Sequence, residues 1–328
     1  MAKIHIWGET MKPPGSIGYI IVAYRNSTED LARLCRKLLS SASAVGLAST
    51  TYIVVNDESQ IYAEPGVTVI SGHGNVGFAG GIKMAVDIAT EDYLIFLNPD
   101  CDVSTEQVEA FICESTTRAG ITVPVIETSA GDFDYQTYEN WTFTPGRMIS
   151  AYLCQHHLLR DRSSDLLPRY AKISGAFVGM PLQLARELKS PFDPEFFLYA
   201  EDRDLTRRVR KRGIDIHFVK SVRIRHAGGV SGTSVSELVS IAKSDGSIRV
   251  ASRRFGRFGV ALYIFDELIF DSIRVVIGKK VPWSSRRIAA ARWKRSGLRN
   301  PGSLTAPILR DLTYTSPDAR GATESVNR

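Results

Sequence analysis

Tyr93-Leu94-Ile95-Phe96-Leu97-Asn98-Pro99-Asp100-Cys101-Asp102-Val103 is the stretch on which the fold turns. Its apolar run stops abruptly at Asn98-Pro99, the pattern of a short buried strand. Two carboxylates follow at once. In an extended segment residues two apart share a face, so Asp100 and Asp102 are expected to point into one space and Cys101 away from it. Carboxylates crowded there repel unless a positive charge lies between them. A hard divalent cation that keeps positions open for phosphate oxygens is the usual solution. The alternative is an ordinary Asn-Pro-Asp turn with an acidic corner.

The flanking chain favours the first reading. Apolar runs at 17–23, 52–55 and 67–70 read as strands. Helices are expected from Ser27, an N-cap followed by Leu31, Leu34, Leu38 and Leu39, from the glycine-rich 72–81 segment to about 89, and over about 104–118. This alternation predicts an α/β fold with a mostly parallel sheet, whose ligands sit beyond the carboxyl ends of the strands. Tyr24-Arg25-Asn26, Asn56-Asp57, the glycine loop at 72–81 and Asp100/Asp102 all follow strands, so four polar clusters converge on one crevice. The loop is neither G-x-G-x-x-G nor a P-loop. Its backbone N–H groups, around Gly77, suit close approach to phosphate. Lys83, one turn into the next helix, either adds a charge there or is a solvated lysine.

Residues 127–170, with Phe133, Tyr135, Tyr138 and Trp141, read as a variable cover over the crevice. His156 and His157 would face opposite ways in a strand and are expected at the surface. A strand over 173–179 carries small residues, Gly175 and Ala176, that leave room for something bulky. Residues 201–212 predict a helix with acids in its first turn, bases in its last and Gly213 at its stop. Asp202 shares the inward face with Leu205 and Val209, while Asp204 is turned away from it. Helix-dipole stabilisation, about 0.3–1 kcal/mol per acid, explains three acids but not an inward one. Short strands follow at 214–219 and 222–225. Val222, Ile224 and His226 share an inward face, with Gly228-Gly229 leaving space around the imidazole.

The chain has 328 residues, 44% apolar and 23% charged, enough for a sizeable core. Four cysteines without a C-x-x-C pair suggest neither a disulfide framework nor a zinc knuckle. The first residues lack the apolar core of a signal peptide, and no run of about 18 uncharged apolar residues occurs. The net charge of +6 is concentrated: residues 247–299 hold thirteen Lys/Arg against three acids, which leaves the remainder acidic. Within this segment Leu262, Phe265, Ile269, Ile273 and Val276 fall on one side of a helix over 260–277, and Asp266, Glu267, Asp271 and Arg274 on the other. Basic flanks with Trp283 and Trp293 suit an anionic membrane surface. Packing on the same domain or on a second subunit is the alternative, favoured by the acids. Nucleic-acid binding would need aromatics interleaved along a groove, whereas here they flank an apolar helix.

Taken in order, 20–24 (Ile-Ile-Val-Ala-Tyr), 54–59 (Val-Val-Asn-Asp-Glu-Ser), 74–81 (Gly-Asn-Val-Gly-Phe-Ala-Gly-Gly), 98–102 (Asn-Pro-Asp-Cys-Asp), 174–176 (Ser-Gly-Ala), 196–205 (Phe-Phe-Leu-Tyr-Ala-Glu-Asp-Arg-Asp-Leu) and 226–229 (His-Ala-Gly-Gly) resemble the inverting family 2 glycosyltransferases of GT-A fold. The bacterial rhamnosyltransferase branch is the most similar. The resemblance implies a nucleotide-sugar donor and Mg²⁺ or Mn²⁺. It assigns Ala23, Tyr24 and Asp57 to the base, and places Lys83 near the nucleotide. Asp100 falls to ribose or metal, and Asp102 and His226 to the metal. Asp202 becomes the catalytic base, with Glu201, Gly175 and Ala176 toward the acceptor. Two departures stand out: the family often has Asp where Asn56 lies and Asn where Lys83 lies.

The expected activity is transfer of L-rhamnose from dTDP-L-rhamnose to a glycan or polyprenyl-linked glycan acceptor. UDP-galactofuranose, a UDP-N-acetylhexosamine, or a binding module without turnover are the alternatives. The expected organisation is a catalytic domain over 1–230, with a nucleotide-sugar half at 17–120 and an acceptor half at 121–230. A basic helical extension over 231–302 and a flexible tail over 303–328 would follow. A cytoplasmic protein, peripheral at the inner face of the membrane through 247–299, is the expected setting.

Overall fold

The computed structural model describes residues 14–59, 61, 64–133, 142–160, 164–227 and 236–314. Tyr135, Tyr138, Trp141 and Gly228-Gly229, singled out above, lie outside them. The first half alternates as the sequence predicts: β1 (Ser16–Ala23), α1 (Thr28–Ala44), β2 (Ala48–Val55), β3 (Val67–Ile70), α2 (Gly77–Ile88), β4 (Tyr93–Leu97), β5 (Cys101–Asp102), α3 (Thr105–Ser115) and β6 (Ile121–Thr128). Ser27 caps α1 by accepting from the Asp30 N–H. Ser104 opens α3 with a reciprocal capping box to Gln107. β1 and β4 are buried along nearly their whole length, as strands covered on both faces must be.

The second half is less regular. It comprises α4 (Thr144–His157), β7 (Phe177–Pro181), α5 (Leu182–Glu187), α6 (Glu201–Lys211) and β8 (Ile216–His226), followed by α7 (Ser236–Val276), α8 (Trp283–Arg295) and α9 (Ala306–Tyr314). Among the described residues the strands form one eight-stranded mixed sheet in the order β3-β2-β1-β4-β7-β6-β8-β5. β3, β2, β1 and β4 are parallel, and β7 enters antiparallel between β4 and β6.

Several elements differ from expectation. The segment 127–170 contains α4, whose C-terminal turn carries both His156 and His157. The two strands expected over 214–225 are one, β8, with a register shift opposite Pro124/Val125 of β6. The residues before Phe177 are not strand, so Gly175 and Ala176 belong to the approach to β7. The helix expected from 260 begins at Ser236 and kinks at Gly256, which has φ 61°. The tail expected from 303 holds a helix, α9, anchored by the buried Leu304 and Leu309.

Polar contacts dock the C-terminal helices onto the sheet domain. Arg253 of α7 reaches Asp204, Asp193 and Glu195, with N–O separations of 3.0, 2.8 and 2.7 Å. Asp204, turned away from the Asp202 face, is buried there because α7 covers that side. Burial opposes its charge, but Arg208 and Arg253 outweigh burial and hold the carboxyl below its usual range. Asp245, also buried, accepts from Arg249, Arg292 and the Trp293 indole.

Candidate active site

A cleft of about 800 Å³ opens beyond the carboxyl ends of β1, β2 and β4. Val22 and Tyr24 follow β1 into it, Asn56 follows β2, Gly77 starts α2, and Asn98, Pro99 and Asp100 follow β4. Gly175, Ala176, Glu201, Asp202 and His226 complete the wall, together with α7. Most of the expected site residues thus meet in one space.

Asp100 and His226 are brought together by sheet pairing. β5 runs antiparallel to β8 with Cys101 opposite His226, and the Ala227 N–H donates to the Asp100 carbonyl at 3.2 Å. The His226 Nε2 lies 3.2 Å from Asp100 Oδ1 and 3.1 Å from the Asn98 amide nitrogen. Asp102 is elsewhere. It is exposed, lies opposite Arg225 and does not line the cleft. The two-residue alternation fails because Asp100 sits in a turn, closed by Cys101 N–H to the Asn98 carbonyl at 3.1 Å, and β5 begins only after it. Among the described residues no cluster of three or more His, Cys, Asp or Glu side chains is placed to hold a metal ion. The donor set of Asp100 and His226 fits Mn²⁺ or Mg²⁺ whose remaining positions go to phosphate oxygens and water.

The residues expected to hold the nucleotide are only partly at the cleft. Asp57 does not line the cleft. Its Oδ2 accepts from the Arg25 N–H, and its Oδ1 from the Ser59 N–H at 2.8 Å. Burial opposes its charge, yet these hydrogen bonds hold the carboxyl below its usual range. Asn56 takes its place at the wall. Its amide nitrogen donates to the Gly77 carbonyl at 3.0 Å, and its Oδ1 is a buried acceptor without a protein partner. Ala23 is buried behind the wall and accepts from the Asn56 N–H. Lys83 is outside the cleft as well, paired with Asp87 one turn along α2 at 2.6 Å.

Gly77 has a different reason to be glycine than phosphate approach. Its φ is 76°, and a Cβ there would stand 2.1 Å from the Phe197 carbonyl oxygen. That carbonyl accepts from the Phe78 N–H at 2.9 Å, and the Gly77 N–H is taken by Asn75. The loop therefore locks α2 to the segment leading into α6.

At the start of α6, Asp202 is pinned from two sides: Lys172 Nζ lies 2.5 Å from Oδ2, and the Arg203 N–H donates to Oδ1 at 2.7 Å. Gly175 faces it closely enough that a Cβ would lie 3.7 Å from the Asp202 Cβ. Glu201 is buried, with Oε2 unpartnered by protein. Burial first, and then the Asp202 charge, push its carboxyl well above the usual range. Tyr199 also lines the cleft. Burial raises its pKa, and the charges of both Glu201 and Asp100 raise it further. Tyr199 and Ala200 hold φ of 69° and 71°, an uncommon left-handed pair immediately before the helix.

Sequence reading missed the cations of this end. Lys172 gives no periodic signal. Arg147, on the unanticipated α4, donates to the Tyr263 hydroxyl at 2.9 Å. The Arg203 guanidinium is pushed down to about 10 by burial and by Arg147. All three line the cleft beside Asp202.

Comparison with known proteins bears on the fold. Residues 19–169 match the model of Glycosyl transferase family 2. The structure is similar to GalNAc-T7 crystallised with UDP, GalNAc and Mn²⁺, with a TM-score of 0.54 and 15% identity over 74% of this chain. The chain spans 48% of that protein's length. A mannosyltransferase of Pyrobaculum calidifontis in complex with GDP-Man and Mn²⁺ gives a TM-score of 0.46 at 11% identity, covering 90% of this chain and 84% of the other. No curated protein sequence matches. The chain has the GT-A fold, with helices α7–α9 added after the sheet and a family 2 glycosyl transferase match over residues 19–169.

Proposed function

We propose that this protein is a metal-dependent inverting glycosyltransferase that moves L-rhamnose from dTDP-L-rhamnose to a lipid-linked or cell-surface glycan acceptor. The observation that carries the reaction class is that Asp100, His226 and Asp202 line one cleft beyond the strand ends. Asp100 and His226 would hold Mn²⁺ or Mg²⁺, which when bound neutralises charge on the departing diphosphate. The presence of Mn²⁺ with UDP in the crystal structure of GalNAc-T7 is consistent with this assignment.

Asp202 acts as the base. Each of its oxygens has one fixed donor and retains lone-pair capacity for the acceptor hydroxyl proton. Lys172 orients the carboxylate and offsets its repulsion with Glu201. The elevated Glu201 carboxyl is protonated more readily than an ordinary glutamate and can donate to an acceptor oxygen. No second carboxylate nucleophile is needed for inversion. Asn56 Oδ1 suits the N3–H of a thymine or uracil base, and Arg147 and Arg203 suit the phosphates of a polyprenyl-linked acceptor. The rhamnosyl donor itself rests on the sequence resemblance, with UDP-galactofuranose or a UDP-N-acetylhexosamine as the competing donors.

Release of nucleoside diphosphate from a panel of nucleotide sugars with Mn²⁺ and a polyprenyl-linked acceptor tests the proposal. Turnover is expected with dTDP-rhamnose above the UDP-sugars, ended by chelation and restored by Mn²⁺. Turnover indifferent to chelation would contradict the metal assignment, and binding of donor without any transfer would favour a binding module.

A further inference from the structure

The helix α7 faces the reverse way from an ordinary amphipathic surface helix. Beyond the kink at Gly256, its charged side is the inward one. Asp266 accepts from the Thr144 N–H and hydroxyl at 2.9 and 2.7 Å, and Glu267 pairs with Arg286. Asp271, fully buried, lies 2.5 Å from Arg286 Nε and 2.7 Å from Arg274. Val260 and Tyr263 share that inner face. The apolar side looks out: Phe258 is 69% exposed, Phe265 59% and Val276 86%, with Leu262, Ile269 and Ile273 exposed between them. These six recur at spacings of three and four, so they form one stripe about 27 Å long at 1.5 Å per residue. Rotating the helix to bury the stripe would strand the acids and Arg286, so the tertiary structure fixes this orientation. An exposed apolar surface of this extent marks an interaction site.

We propose that this stripe docks on an anionic lipid bilayer, lying in the interface with its apolar residues among the acyl chains. The charge pattern selects this occupant. Over residues 255–280 the three acids are all engaged on the inner side, while Arg257 precedes the stripe and Lys279 and Lys280 follow it, all three exposed. An apolar strip with cations at both ends complements an apolar layer under anionic head groups. Antiparallel pairing with a second copy would set Arg257 of one chain near Lys279 and Lys280 of the other, with no outward acid on the stripe to relieve them. Among the described residues no helix is long and apolar enough to cross a membrane, so the contact is peripheral. The docking does not depend on which sugar is transferred. It has a consequence for the site, because Tyr263 and Glu267 on the inner side of the same turns line the cleft.

Co-sedimentation of the full chain with phosphatidylcholine vesicles, with and without phosphatidylglycerol, tests the proposal. Pelleting is expected with the anionic vesicles and should fall as salt rises. The variant Phe265→Glu/Ile269→Glu changes only exposed positions and should bind at least tenfold more weakly, with an unchanged thermal melt. Lys279→Glu/Lys280→Glu leaves the stripe intact and should weaken binding to anionic vesicles alone. It keeps the proposal falsifiable should the first variant fold poorly. Wild-type protein that stays in the supernatant, or either variant pelleting like wild type, overturns the proposal. So does a wild-type dimer in solution that Phe265→Glu/Ile269→Glu converts to monomer, because a second copy would then own the stripe.

Discussion

The imidazole Nε2 of His226 lies 3.2 Å from Oδ1 of Asp100, and a strand of two residues brings them there. Cys101 pairs with His226 across that strand, which sets the preceding turn and its carboxylate against the end of β8. The pairing also excludes Asp102, whose side chain emerges on the outer side. Replacing each acid in turn separates these roles. Asp100→Asn and His226→Ala should each weaken Mn²⁺-dependent nucleotide binding tenfold or more. Asp102→Asn should leave it within about twofold. Isothermal titration of dTDP with and without Mn²⁺ reads the difference.

Asp202→Asn should cut transfer by about 10²–10⁴-fold, the range for loss of a general base. The amide keeps the shape of the side chain, so the Kd for donor nucleotide should be nearly unchanged. Equal loss of donor binding and turnover would move Asp202 out of the role of base.

Glu201 makes a pH prediction. Its carboxyl is raised in the folded protein, so its contribution to stability is full below the ordinary glutamate value and is lost as pH climbs through the raised one. Glu201→Gln removes that loss. Thermal melts should show the variant and wild type equal near pH 4, and the variant more stable at pH 8, by on the order of 1 kcal/mol or more.

Gly77→Ala should destabilise the fold by roughly 2–4 kcal/mol, because its Cβ meets the Phe197 carbonyl oxygen and φ is positive. Gly74→Ala is the control. Its φ of 69° is also positive, but a Cβ there meets nothing within 4 Å, so the cost should be only the backbone penalty of about 1 kcal/mol. Urea midpoints of the two variants separate the clash from the strain.

What was legible in the sequence follows from what is local. The cap at Ser27 and the buried runs of β1 and β4 are written in adjacent residues, and the structure has them where the pattern predicts. The convergence of Tyr24, Asn56, Gly77 and Asp100 followed from strand polarity alone. What failed depended on contacts distant in sequence. Asp102 left the cleft because β5 pairs with β8. Lys172 and Arg147 met Asp202 and Tyr263 only through tertiary packing. For α7, periodicity correctly divided an apolar face from a charged one, but which face is inward depends on Thr144 and Arg286.

One divalent cation, held by Asp100 and His226, is proposed to organise the donor beside Asp202. Electron spin echo modulation of Mn²⁺ bound to the protein with dTDP reads this directly. Nitrogen coupling from a single imidazole is expected, disappearing in His226→Ala and persisting in Asp102→Asn. Coupling that survives in His226→Ala, or that never appears in the wild type, would contradict it.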